Sequence, residues 1–194
     1  DTPSNFGITF GRNATASWDE VLNADVDYYE LRTDNNPGKD TNALLARVKG
    51  TSAVLTLTKR ADTVYLYARS TLGKYSTAAT YEYNVPQLAA PELVVKSQLG
   101  GFNLYFSTKP AQAYAIRCHV IGDERTDDFE TTSTMLTYSN SAGIYRIRCS
   151  FVDVFGDGFV NEKQVVIKTQ IDASLLDLES LGLNKVDERI DRKS

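Results

Sequence analysis

The chain has one imidazole, His119, which directly follows Cys118, one of only two cysteines. Neighbours on a strand project to opposite faces, so a Cys-His dyad between these two is geometrically poor. A lone imidazole also lacks partners at the spacing a metal or a catalytic relay needs. Asp123, Glu124, Asp127, Asp128 and Glu130 gather carboxylates within a few positions but lack the spaced oxygen ligands of a calcium loop. They read instead as a solvated, like-charged edge that discourages strand-to-strand aggregation. Asn13-Ala14-Thr15 is a glycosylation triplet, a pattern that also arises often by chance. There is no Gly-rich phosphate loop, no His-Glu-x-x-His and no nucleophile elbow. The polar stretch Asp34 to Asp40 could meet a partner, since long loops carry function in β folds, but no residue in it argues for one ligand. The expectation is a chain that is not an enzyme, with no catalytic residue, cofactor or metal.

Composition narrows the classes further. With 194 residues, two units of roughly 85 residues are possible, each able to bury a core but with little mass left for a deep pocket. Eleven Tyr, with many Thr and Val, favour strand over helix. The formal net charge of -4 argues against a nucleic-acid partner, which needs a basic surface. No apolar run approaches the ~20 residues of a membrane span, and no signal peptide is present. Two cysteines do not make a disulfide scaffold. The start at Asp1-Thr2-Pro3, without Met, reads as a piece of a longer polypeptide.

The elements that would position these residues are written twice. Tyr145, Ile147, Cys149 and Phe151 alternate with polar residues, the period-2 signature of a strand with one buried face. That run stops at Gly156-Asp157-Gly158, which reads as the turn. Val64, Leu66 and Ala68 align with Ile147, Cys149 and Phe151, and Gly73 aligns with Gly156. Tyr29-Glu30-Leu31-Arg32 likewise returns as Tyr114-Ala115-Ile116-Arg117. In the first copy Phe6, Ile8 and Phe10 open the chain, and Ala14, Ala16 and Trp18 define a second inward face with Trp18 as core anchor. On the next strand Tyr29, Leu31 and Thr33 point inward, while Tyr28, Glu30 and Arg32 face water. Further strands run through Leu44 to Val48, Ala53 to Leu57, Val64 to Arg69 and Ser76 to Val85. About seven strands with turn signals every 8–12 residues is the spacing of an antiparallel sandwich. Pro86 to Pro91 is a stiff linker, which sets the units at 1–87 and 88–168. In the second copy Phe106 takes the place of Trp18.

Residues 169–194 carry a different pattern. Ile171, Leu175 and Leu178 recur at helical spacing, and Val186 and Ile190 resume it after Gly182. A stripe this short is marginal on its own. It reads either as a helix packed back on the second unit or, the preferred reading, as the start of a self-associating stem.

The inward aromatics Trp18 and Phe106, the Tyr29 and Tyr114 strands, and Tyr145-Arg-Ile-Arg-Cys-Ser-Phe together resemble tandem fibronectin type III domains over about residues 3–168. Tyr145 stands at the family's tyrosine corner. Phe151 stands where a small residue is usual, and Asp62 occupies the corner in the first copy, which must therefore close differently. The resemblance puts Cys118 and Cys149 on adjacent strands of one sheet, both inward. Two buried free thiols are the default expectation; a cross-strand disulfide, implying an oxidising compartment, is the alternative. More narrowly, the runs Asn23 to Arg32 and Ala68 to Ser76, followed by Ile171-Asp172-Ala173-Ser174, resemble the units of long-tailed phage tail-tip and central tail-fibre proteins.

That resemblance implies an all-β pair of fibronectin type III sandwiches with a short C-terminal helical segment. Its role would be a structural spacer of the virion, homotrimeric through Ile171, Leu175, Leu178, Val186 and Ile190. Its partners would be other tail proteins, with a host surface receptor met by segments outside this chain. No nucleic acid and no membrane insertion are expected. The competing classes are a binding module of an extracellular or cell-surface adhesin or receptor, recognising a protein or glycan, and a spacer of a secreted enzyme.

Overall fold

Alternating apolar side chains make strands wherever one face can be buried, and residues 1–168 have little else. The computed structural model describes residues 1–22 and 25–168, and every regular element among them is a strand. β1 (Gly7–Phe10), β2 (Ala14–Ser17) and β5 (Ser52–Leu55) form one antiparallel sheet in the order β1-β2-β5. β4 (Leu44–Val48), β3 (Val26–Arg32), β6 (Ala61–Ser70) and β7 (Ala79–Asn84) form a second, in the order β4-β3-β6-β7. The pattern then repeats. β8 (Leu93–Gln98), β9 (Gly101–Phe106) and β12 (Met135–Ser139) form a three-stranded sheet, ordered β12-β9-β8. β10 (Ala115–Ile121), β11 (Thr126–Thr131), β13 (Gly143–Asp153) and β14 (Gly156–Ile167) form a four-stranded one, ordered β11-β10-β13-β14.

Each pair of sheets closes on its own core. In the first, Ile8, Ala14, Ala16 and Leu55 meet Tyr29, Leu31, Val64 and Leu66 from the opposite sheet. Trp18 plugs it, 5.3 Å from the Tyr29 ring and 6.4 Å from Phe6, although its buried indole N–H finds no partner among the described residues. In the second, Phe102, Leu104 and Phe106 pack with Ile116, Val120 and Ile147. Fully burying side chains of this size contributes about 1.5–3 kcal/mol each, so each sandwich has a sufficient core of its own.

The two copies close their corners with different residues. Tyr145 donates its hydroxyl to the Ser141 carbonyl at 3.0 Å, the corner anticipated for the second copy. In the first copy, where Asp62 replaces that tyrosine, Tyr83 on the neighbouring strand donates to the Lys59 carbonyl at 3.1 Å. The same kind of orphan carbonyl is therefore capped from β7 instead of β6.

Three sequence expectations need correction. Glu30 and Arg32 do not face water: both are fully buried, because the loop between β3 and β4 folds over the outer face of their sheet. Cys118 and Cys149 are not free thiols: they stand directly opposite each other on β10 and β13, with 4.3 Å between Cα atoms, and are joined in a disulfide. The turn between β13 and β14 is not Gly156-Asp157-Gly158. The register pairs Asp153 with Gly156, so the tip is Val154-Phe155, two apolar residues that would be an odd choice for a turn bathed in water. Ile171, Leu175, Leu178, Val186 and Ile190 lie outside the described residues.

Candidate functional site

The apolar tip has a reason. Val154 and Phe155 pack against the core of the first sandwich, with Phe155 beside Phe10 and Tyr83. The Phe155 ring stacks on Tyr83 with centroids 6.4 Å apart and tilts against Phe10 at 6.2 Å. Such ring pairs contribute about 0.5–1.5 kcal/mol beyond the area they bury. Burial pushes the Tyr83 hydroxyl above its ordinary pKa, with the nearby Asp62 carboxylate adding to the effect.

Next to the tip, Asp153 reaches the first sandwich through charge. Its carboxylate is buried and takes both terminal nitrogens of Arg60, at 2.7 and 3.1 Å. It also accepts the Phe155 amide at 2.9 Å, which fixes the tip's shape. The same Arg60 guanidinium lies 5.1 Å from the Phe155 ring centroid, so one cation closes the ion pair and covers the aromatic. Arg60 is on the short connection just before β6, so a single residue at the end of the first unit grips the whole hairpin.

The linker is fastened along its length. The Pro86 carbonyl accepts from Gln112 at 3.0 Å and from Arg60 at 3.3 Å. The Leu88 carbonyl accepts the Phe159 amide at 2.9 Å, and the Pro91 carbonyl accepts from Asn161 at 2.9 Å. Gly158 has no room for a Cβ: one built there would sit 2.6 Å from the Leu88 Cβ and 2.7 Å from its carbonyl oxygen. On the far side of the junction Arg12 pairs with Glu130 at 3.1 Å and lies over the Tyr114 ring at 5.1 Å, an exposed contact worth little by itself.

A second polar assembly lies on the outer face of the first sandwich. Glu30 accepts from Arg32 at 3.0 Å, from Arg47 at 2.8 Å and from the Gly38 amide at 2.8 Å. Gly38 has φ +80, a conformation that disfavours any side chain, and a Cβ there would press on the Tyr75 ring at 3.2 Å. Arg32 in turn holds the Asp34 carboxylate at 2.6 Å, the Lys39 carbonyl at 2.5 Å and the Thr41 hydroxyl at 2.9 Å. Burial opposes the Glu30 carboxylate, but the Gly38 amide, Arg47 and Arg32 together outweigh it and hold its pKa below the ordinary value. Burial likewise opposes the Arg32 cation, and Asp34 and Glu30 keep it charged. Two guanidiniums lie over the Tyr28 ring, Arg47 at 5.7 Å and Arg69 at 5.2 Å. Glu30 and Arg32 pair with each other, with Arg47 and Asp34, and with loop backbone, so the assembly has the chemistry of a clasp on the Asp34–Thr41 loop.

The residues singled out for chemistry do not converge. His119 projects from the outer face of β10 and meets Asp128 at 2.6 Å, on the side away from the Cys118 disulfide. The acidic cluster lies on and before β11, an edge strand, and Glu130 is tied to Arg117 at 2.6 Å. Asn13 is exposed in the tight turn before β2. Among the described residues no three His, Cys, Asp or Glu side chains gather closely enough to hold a metal ion. No described helix is long and apolar enough to cross a membrane. Sequence reasoning missed both assemblies. The signal available for the junction was Val154-Phe155, adjacent apolar residues ahead of a glycine.

Two solved structures to which the chain is similar are tandem fibronectin type III domains. One is the FN1-FN3 domains of chicken CNTN1, at 12% identity over 87% of this chain and 68% of that one, with a TM-score of 0.42. The other is a two fibronectin type-III domain segment from chicken tenascin, at 13% identity over 86% of this chain and 99% of that one, with a TM-score of 0.39. At these values neither similarity bears on function, and the description of the two sandwiches rests on strand order, register and the two cores. No protein-family model matches the sequence, and no curated protein matches it.

Proposed function

We propose that this chain is a stiff two-sandwich spacer, not an enzyme, with units 1–87 and 88–168 locked end to end. The observation that carries this reading is the grip of Arg60 on Asp153 with Phe155 seated on Phe10 and Tyr83. Default contacts between domains are small and polar and allow relative motion. A buried bidentate ion pair, an aromatic plug and a linker bonded at three carbonyls work against that motion.

Small-angle X-ray scattering tests the proposal. The native chain should scatter as one narrow, extended species. Phe155→Ala combined with Asp153→Ala should broaden the distance distribution and shift its maximum dimension. A native chain that already scatters as a set of bent forms would overturn the spacer reading.

Within that reading, the narrower role is assembly in the tail tip or central tail fibre of a long-tailed phage, holding a distal host-recognition part away from the tube. Its support is the sequence resemblance of Asn23 to Arg32, Ala68 to Ser76 and Ile171 to Ser174. Self-association as a homotrimer would come from Ile171, Leu175, Leu178, Val186 and Ile190. Sedimentation of the chain with and without 169–194 tests this, and a monomer in both removes it. The Cys118–Cys149 bond supports a place outside a reducing cytosol, on a virion or a cell surface.

A second reading, a binding module for a protein or glycan, is favoured by one feature. The Asp34–Thr41 loop is fixed from below by Glu30 and Arg32, and a loop fixed before binding loses less entropy on association. Binding to an arrayed glycan or protein that disappears when this loop is replaced would support it over the spacer.

A further inference from the structure

We infer that the Cys118–Cys149 disulfide makes the second sandwich a length-limited element under tension, while the first can release its whole chain. The bond joins the two central strands of the sheet ordered β11-β10-β13-β14 and spans 31 positions of sequence. Those positions contain the rest of β10, all of β11 and β12, and the start of β13. When the chain is pulled from its ends, force reaching Cys118 crosses to Cys149 through the sulfur atoms. Everything between them stays slack even after the sheet has come apart. Extended chain spans at most about 3.3–3.6 Å per residue, so the sealed segment withholds about 100 Å. The first sandwich has neither of the chain's two cysteines and withholds nothing.

Burial makes the limit durable. Cys118 is 0% exposed and Cys149 1%, with core side chains of both sheets around them, so a dissolved thiol has no approach while the sandwich is closed. Once the sheet opens, a dithiol can cleave the bond. Its thiolate attacks one sulfur to give a mixed disulfide, and its second thiol closes the dithiol's own cyclic disulfide. Two electrons and two protons pass to the cysteines, which end as thiols. The withheld length is then released in a second stage. The usefulness of this limit rests on the spacer reading, whereas the withheld length depends only on the bond's place in the fold.

Single-molecule force-clamp extension of the full chain, held at both ends, tests the inference. Without reductant, the second sandwich should open in a step about 100 Å shorter than in the Cys118→Ser, Cys149→Ser variant. With dithiothreitol present, the native chain should show that short step followed, after a delay, by a further step of about 100 Å. The reductant arm uses the native chain, so it stands even if the serine variant does not fold. A full-length step without reductant, or no further step with it, would overturn the inference. A bent native chain in scattering would sink the spacer reading and leave these step lengths unchanged, so the two failures are distinguishable.

Discussion

The same four-stranded sheet occurs twice, and its outer face is treated in opposite ways. In the first sandwich that face is roofed by the β3–β4 loop, which buries Glu30 and Arg32 completely. In the second, the equivalent strand presents Arg117 and His119 to neighbouring carboxylates at a partly exposed surface. Their interiors are reversed as well: the second core contains a covalent cross-link and the first contains none. One fold thus tolerates two devices for holding its central strands, a buried ion network laid over the sheet or a disulfide within it. The difference teaches that a period-2 pattern specifies the face a side chain is on and leaves open what covers that face.

The largest way to break the comparison is to remove the cation beneath the roof. Arg32→Ala leaves Glu30 buried with half its compensation, and losing one partner of a buried pair costs about 3–5 kcal/mol. Trp18 is the only tryptophan and lies in the first core, so its fluorescence should report the earlier unfolding in denaturant. The second sandwich, followed by amide exchange of β13, should keep its transition. If both transitions move together by the same amount, the network does not belong to the first unit alone.

Acid should act on the same side. The Glu30 pKa is lowered in the folded state, so its contribution is fully present above the unfolded carboxylate value of about 4.3. That contribution is lost as pH falls through the folded value. The Trp18 transition should therefore weaken below about pH 4, and Glu30→Gln should flatten that dependence. A pH profile unchanged by Glu30→Gln would remove Glu30 as its cause.

Gly158→Ala should cost about 1–3 kcal/mol, at least as much as either corner variant, because a Cβ there meets the backbone of the buried Leu88. There the crowded Leu88 backbone must yield, which would appear as amide shifts at Leu88 and Phe159 with the core signals in place. Unmoved signals at both would show that the linker is not seated as described. Smaller effects sharpen the corner. Tyr145→Phe should destabilise the second sandwich by about 1 kcal/mol, the usual worth of one hydrogen bond, and Tyr83→Phe should do so in the first. Denaturant midpoints read by the two probes would separate them, and equal shifts of both probes in either variant would contradict separate corners.

Much of this architecture is legible in the sequence. The alternation of Tyr145, Ile147, Cys149 and Phe151, and its echo at Val64, Leu66 and Ala68, placed the central strands correctly because burial enforces the period. Trp18 and Phe106 fell where core plugs belong. Asp62 warned that the first corner closes by other means, though nothing in its own strand pointed to Tyr83. The burial of Glu30 and Arg32 is not legible because the loop that hides them is polar and looks solvated when read alone. Gly156-Asp157-Gly158 has ordinary turn chemistry, so the sequence alone points away from the true tip. Val154-Phe155 makes sense only with a neighbouring sandwich to receive it. The disulfide is not legible in the sequence because two cysteines facing inward pack as readily as small hydrophobes.

The most direct test of the central claim, that the two sandwiches move as one body, is a set of backbone residual dipolar couplings for the native chain in a weakly aligning medium. Couplings from β1–β7 and from β8–β14 should fit a single alignment tensor. They should separate into two tensors of unequal magnitude when Asp153 and Phe155 are both replaced by alanine. Two distinct tensors in the native chain would contradict the claim.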